Sequence, residues 1–378
     1  MTKHFPGGGP QKDGEDPHFP YGREQVYPGD NFDYHLIPFE AAFAAGTAQI
    51  MPYYGMPVGL DLEEVGFGFN HDVIAGLLRQ KYGFDGVVCT DWGLLTSRDI
   101  RGEVMEARAW GVEHLSLAER VKKALDAGVD QFGGESCPEV IVDLVSAGQV
   151  DEARIDQSVR RILRDKFRLG LFDNPYIDPD MAERVAGNST FVEAGELAQR
   201  KAIVLLKNGT AGGAAALPVQ GKPKLYVENI APEVAADYGQ VTEKIEDAEL
   251  AILRLKAPYE QRNGSFLERL FHAGRLDFSE DEKQRILGIM ARVPTIVDIY
   301  LDRPAVIPEI AEQSVGLLAD FGASDRAVLD VIFGRFSPSG KLPFEMPTSM
   351  EAVQRQKEDV PHDSESPLFP FGHGLTYG

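Results

Sequence analysis

Cysteine is nearly absent from this chain: 378 residues contain two, Cys89 and Cys137. That number excludes a disulfide framework, and Cys89, set in an apolar run, reads as a small buried hydrophobe. Basic residues are also in deficit, with 38 Lys and Arg against 59 Asp and Glu and a formal net charge of −21. Nucleic-acid binding needs basic surface to meet phosphates, so this balance argues against it. No apolar run approaches the length needed to span a bilayer, so no membrane partner is expected. The first residues hold no secretory apolar core. Two cysteines suit the cytoplasm, but export stays open, because a signal peptide would precede the true N-terminus. No Cys/His cluster has metal-ligand spacing, and no G-x-G-x-x-G follows a strand to cradle a dinucleotide. Gly7, Gly8 and Gly9 lack the Gly-Lys-Ser/Thr ending of a phosphate loop. No metal or cofactor is expected.

What is present is an alternation of helical and strand patterns. Residues 70–82 carry Val73, Ile74, Leu77 and Leu78 at helical spacing behind Asn70, a good N-cap. A short turn leads to the β-branched pair Val87 and Val88, a buried strand over 86–90, and Asp91 stands where it ends. An acidic residue at the C-terminal end of such a strand is where (β/α) barrels place catalytic carboxylates; the plain alternative is that Asp91 caps a turn. Further strands are expected at 47–51 and 129–132. Helices are expected at 37–45, with Pro38 harmless in its first turn, and at 116–127, 139–147 and 151–169. From about residue 190 a helix over 191–201 leads into apolar runs at 202–207, 224–229, 250–255, 295–300 and 315–320. Continuous apolar runs between helical patterns predict a mostly parallel α/β sandwich.

Four stretches carry a resemblance in the right order: KHFPGG (3–8), KYGFDGVVCTDWG (81–93), AIVLLKN (202–208) and PFGHGLTYG (370–378). Together they resemble glycoside hydrolase family 3, the retaining β-glucosidases and their relatives. The resemblance implies an α/β fold: the C-terminal part of a (β/α)8 barrel over 1–173, a linker over 174–190, and an α/β sandwich over 191–378. It implies an exo-acting β-glycoside hydrolase whose partner is a β-linked glycoside or oligosaccharide. Asp91 matches the family's nucleophile. Lys3 and His4 match the pair that hydrogen-bonds sugar hydroxyls, and Met51, Tyr54 and Trp92 resemble residues lining that subsite, although Met51, Tyr54 and Trp92 suit core packing equally well. Glu260, in Pro-Tyr-Glu after the 250–255 strand, is the first choice of acid/base and Glu268 the second. A rival is the pair Asp16 and His18, resembling the Asp-His dyad of family members that release N-acetylglucosamine, with Pro17 between them.

A full barrel takes about 250 residues and eight strands, and three are legible before residue 173. A strand of about five residues is expected ahead of KHFPGG, and two residues cannot supply it. The expectation is therefore a chain lacking the N-terminal half of its barrel, with an open sheet edge and uncovered apolar side chains. Such a chain would be an inactive remnant or one subunit of a split enzyme, paired with a complementary half or with a second copy of itself.

Overall fold

The computed structural model describes residues 1–377; Gly378, the last residue of the closing motif, lies outside them. The chain forms two compact units. The first comprises Met1–Ile177 together with Lys357–Pro361, and the second the remainder.

The first unit is built on a parallel sheet of β1 (Thr2–Phe5), β2 (Gln49–Pro52) and β3 (Val87–Val88), in the order β1-β2-β3. A parallel bridge between Cys89 and Gln131 continues it into the segment expected as a strand at 129–132. β1 includes the motif's own Lys3, His4 and Phe5, where the expectation placed the strand wholly ahead of them. Thr2 pairs with Ile50 and Lys3 with Met51, and Phe5 is fully buried. Lys and His do not look like strand residues, yet a parallel ladder is made by the backbone and tolerates them at a strand's end. Helices Ile37–Ala44, Leu117–Ala127, Pro138–Ser146 and Glu152–Arg168 accompany the sheet. The core joins Phe5, Ile50 and Val88 to Val73, Ile74 and Leu78 of Asp72–Lys81 and to Val121 and Leu125. Asp72–Lys81 is helical as expected, but wound wider than an α-helix, with the Tyr82 N–H reaching back five residues to the Leu77 carbonyl. Asn70 does cap it, its Oδ1 accepting from the Val73 N–H at 3.0 Å.

The second unit holds a six-stranded sheet. In chain order its strands are β4 (Val204–Asn208), β5 (Lys224–Glu228), β6 (Gln240–Val241), β7 (Leu250–Lys256), β8 (Thr295–Tyr300) and β9 (Gly316–Asp320). Their order across the sheet is β6-β5-β7-β8-β9-β4. All neighbours are parallel except β4, which runs antiparallel to β9. Alternate residues feed two separate cores. Leu206, Leu253, Val297 and Leu317 pack with Ile286 and Ile310 on one face. Leu205, Ile252, Ile296 and Leu318 pack with Val328 and Ile332 on the other. Burial on both faces is why these strands read as unbroken apolar runs. The stretch expected as a linker, 174–190, is not wholly irregular: Pro179–Val185 is a helix capped by the Asp178 side chain. The next helix begins at Ser189, two residues ahead of expectation, because Asn188 accepts from the Phe191 N–H.

Candidate active site

Three strand ends converge on Asp91. The register of β3 is fixed by the Cys89 N–H on the Ile50 carbonyl (3.0 Å) and the Thr90 N–H on the Gln131 carbonyl (2.9 Å). Asp91 Oδ1 accepts from its neighbour's Trp92 N–H at 2.7 Å and from the Tyr54 hydroxyl at 3.0 Å, while Oδ2 faces His4 Nε2 at 3.4 Å. His4 comes from β1, Tyr54 follows β2, and Trp92 follows β3. The carboxylate is 12% exposed, so its orientation is set by these donors and one edge stays reachable. Charge-assisted bonds of this kind are stronger than neutral ones and orient the acceptor.

Tyr54 is buried rather than lining open space. Burial, and then the charge of Asp91, push its phenol above the ordinary value, so it stays a donor, also within reach of the Trp92 carbonyl. Burial lowers the His4 imidazole below its usual value; Asp91 opposes this and Lys3 adds to it. His4 is thus neutral near pH 7 and has one N–H to donate. Lys3 and His4 line a cavity of about 410 Å³ together with Gly7, Gly8, Gly9, Tyr34 and His35. Met51 is buried in the sheet. Cys89 is buried too, its thiol pushed up to about 11 by burial and then by Asp91, which leaves it an inert core side chain.

Trp92 is 51% exposed, and its indole lies on two glycines that sequence reading did not single out. A Cβ on Gly133 would fall 2.8 Å from Trp92 Cε3, and one on Gly134 would fall 2.2 Å from Cδ1. Gly134 also has φ +64°. The Gly133 N–H is held by Thr90 Oγ1 at 2.8 Å. Next to them Glu135, with a side chain 1% exposed, accepts from the Leu95 N–H (3.0 Å), the Thr96 N–H (3.3 Å) and the Thr96 hydroxyl (2.5 Å). It fixes the loop that follows Asp91 and Trp92. The available signal was the Gly-Gly pair placed right after the strand expected to end at Phe132.

Asp16 and His18 form a bonded pair, with His18 Nδ1 2.6 Å from Asp16 Oδ1. The turn is tied down by the Trp110 indole N–H on the Pro17 carbonyl at 2.9 Å. The His18 ring meets the Tyr54 ring edge-on at 4.8 Å between centroids. The other two candidates lie in the second unit. Glu260 sits on an ordered loop whose backbone bridges to Ala273, its N–H donating to that carbonyl at 2.9 Å. Its carboxylate packs on Gly274, where a Cβ would meet Oε2 at 2.2 Å. Tyr259 beside it stacks on His272 with centroids 3.8 Å apart. Glu268 accepts from the Ser265 N–H at 3.1 Å while its own N–H bonds Ser265 Oγ at 3.3 Å. That reciprocal pair is a capping box for its own turn.

The candidate site is thus a carboxylate at a parallel strand end, oriented by an imidazole and a phenol and flanked by an exposed indole over glycines. Residues 1–164 match the model of the glycosyl hydrolase family 3 N terminal domain, and residues 226–377 that of the glycosyl hydrolase family 3 C-terminal domain. The chain belongs to glycosyl hydrolase family 3. It is 53% identical over its whole length to probable beta-glucosidase C of Aspergillus flavus and 52% to beta-glucosidase C of Emericella nidulans, covering 59% and 61% of those proteins. It is 38% identical to the periplasmic beta-glucosidase/beta-xylosidase of Dickeya chrysanthemi, covering 60% of it. The chain therefore spans about three-fifths of the length of these relatives. The crystal structure of a β-glucosidase from Listeria innocua in complex with glucose shares the fold, with a TM-score of 0.73 at 20% identity over 94% of this chain and 55% of that one. A β-glucosidase from Erythrobacter marinus matches equally well, with a TM-score of 0.73 at 21% identity over 90% of this chain and 54% of its own.

Proposed function

We propose that this chain carries the catalytic nucleophile of a retaining, exo-acting β-glucosidase. The observation that supports this most is the Asp91 carboxylate, oriented by Tyr54, His4 and the Trp92 N–H. The names of relatives about half identical to it add the β-glucoside as substrate. In this reading an Asp91 oxygen attacks the anomeric carbon, forming an ester bond to the sugar as the bond to the leaving oxygen breaks. Glu260 gives its proton to that oxygen. It then takes a proton from water, whose oxygen attacks the anomeric carbon and frees Asp91. Lys3 and the N–H of neutral His4 bind sugar hydroxyls, and the exposed face of Trp92 packs on the sugar ring.

Glu260 is preferred to Glu268 because the Glu268 carboxylate is engaged in capping its own turn. The Asp16–His18 pair is the second reading. In its favour is the contact of His18 with Tyr54, which itself bonds Asp91. Val159, Leu163 and Phe167 on Glu152–Arg168 are exposed, and the outer edge of β1 pairs with no strand among the described residues. Both features suit cover by a complementary barrel segment.

The test is hydrolysis of p-nitrophenyl β-glucoside by the chain and by Asp91→Asn, Glu260→Ala and His18→Ala. Loss with Asp91→Asn, and rescue of Glu260→Ala by azide as the β-glucosyl azide, are the expected results. Full activity in Asp91→Asn would overturn the reading, and azide rescue of His18→Ala in place of Glu260→Ala would move the acid/base to the dyad.

A further inference from the structure

Five residues remote in sequence, Lys357–Pro361, belong to the first unit. Among them Asp359 is completely buried. Its Oδ1 accepts from the Gly29 N–H at 2.7 Å and its Oδ2 from the Asn31 N–H at 2.8 Å. Its backbone carbonyl accepts from Asn31 Nδ2 at 2.9 Å and lies 3.1 Å from His35 Nε2. A carboxylate with both oxygens committed to backbone amides of one loop fixes that loop's path. The fit leaves no room at Gly29, where a Cβ would fall 2.1 Å from Val360 Cγ2.

Two routes lead from this anchor to the Lys3–His4 pair. In the first, His35 rests on the glycines that follow the pair. A Cβ on Gly7 would meet His35 Cβ at 3.0 Å, and one on Gly9 would meet His35 Cε1 at 3.1 Å. In the second, Tyr27, whose phenol is pushed up by burial and then by Asp359, donates to Gln25 Oε1 at 3.3 Å. Gln25 is fully buried and donates to the Gly7 carbonyl at 3.2 Å. Both routes meet at Gly7, whose N–H closes a turn onto the His4 carbonyl at 2.8 Å.

We propose that Asp359 is a positioning residue for the sugar subsite, holding the 27–35 loop and through it Gly7–Gly9 and the Lys3–His4 pair. The proposal rests on the glycosidase reading above. Its distinguishing mark is that the residue lies more than 320 positions from the loop it holds and is itself wholly buried.

The test compares the full chain with Asp359→Ala and Asp359→Asn by hydrogen exchange and by p-nitrophenyl β-glucoside kinetics. In Asp359→Ala, amides over 4–11 and 27–35 exchange at least about tenfold faster while β2 and β3 keep their protection. KM rises at least about fivefold with a smaller change in kcat. Asp359→Asn, which keeps one acceptor, falls between. Unchanged exchange over 4–11, a uniform rise across the first unit, or a fall in kcat at constant KM would each overturn the proposal. A wild-type chain with no hydrolysis counts against the glycosidase reading alone, and the anchor then stands or falls by the exchange result.

Discussion

Asp130→Ala should be among the costliest single substitutions in the first unit, although Asp130 touches no site residue. Its side chain is fully buried. It accepts from Arg79 Nη2 (2.6 Å), the Val88 N–H (2.9 Å), Ser158 Oγ (2.7 Å) and Arg161 Nη1 (3.0 Å), with Arg154 Nη1 at 4.0 Å. Four bonds at about 1.5–3 kcal/mol each would sum to an implausible total for one residue. They form a single network, and the arginines keep other partners: Arg79 on the Phe84 and Gly86 carbonyls, Arg154 on Leu125 and Val129. The better guide is the cost of removing one partner of a buried ion pair, about 3–5 kcal/mol. That is a large share of the roughly 5–15 kcal/mol that holds a domain together. With a urea slope of about 2–3 kcal/mol/M, the first unit's transition should move down by about 1–2 M. Asp85→Ala is the internal control. Asp85 pairs with Arg161 and Arg164, but its side chain is 66% exposed, so the loss should stay within about 1 kcal/mol. The measurement is a urea titration of both variants, following far-ultraviolet circular dichroism. Equal shifts for the two, or an Asp130→Ala midpoint within about 0.3 M of wild type, would refute the claim that desolvation makes the difference.

In the second unit, burial, and then the charge of Asp320, hold Asp298 well above the carboxylate range, with Arg254 opposing. A folded-state value above the unfolded one means that the stability Asp298 contributes is full below the unfolded value of about 3.9 and is lost as pH rises toward the folded one; the Tm of Asp298→Asn relative to wild type should therefore climb as pH rises above about 4. His4 has the opposite sign: its lowered value means that stability is full above about pH 6.5 and falls as pH drops through the folded value. His4→Gln should lose less stability than wild type between pH 7 and pH 5, as read from urea midpoints. Gly134→Ala places a Cβ on the Trp92 indole at a left-handed φ; hydrolysis should drop about tenfold or more, and acrylamide quenching should report a changed Trp92, since Trp110 is buried.

The second unit was more legible in sequence than the first. Its strands are buried on both faces, so Leu250–Lys256 and Thr295–Tyr300 announce themselves as unbroken apolar runs. That β4 lies antiparallel at the sheet's edge was not legible, since a strand's residues do not encode its neighbour's direction. β1 was missed because Lys3 and His4 are polar and the ladder that pairs them with β2 is made by the backbone. Asp91 stood out by its place at a strand's end. Tyr54 could be named as a neighbour of the site, but its part, a buried hydroxyl aimed at Asp91, depends on β2 lying beside β3 in register. Gly133 and Gly134 matter only because an indole some 40 residues earlier folds onto them.

The same limit applies with most force to the acidic residues. Three buried carboxylates do comparable work in the first unit. Asp130 accepts the Val88 N–H and so holds the strand leading to Asp91. Glu135 accepts the Leu95 and Thr96 N–H groups and holds the loop leading away from it. Asp359 accepts the Gly29 and Asn31 N–H groups and holds the loop behind Lys3 and His4. Each acts on backbone amides distant in sequence, where the buried charge is matched by oriented dipoles or by cations. Among 59 acidic residues, nothing local separates these three from a solvated surface carboxylate; what separates them is the donors the fold brings to them. A chain this acidic therefore carries its catalytic candidate and the supports of its site in the same residue types, and only the geometry of their partners tells one from the other.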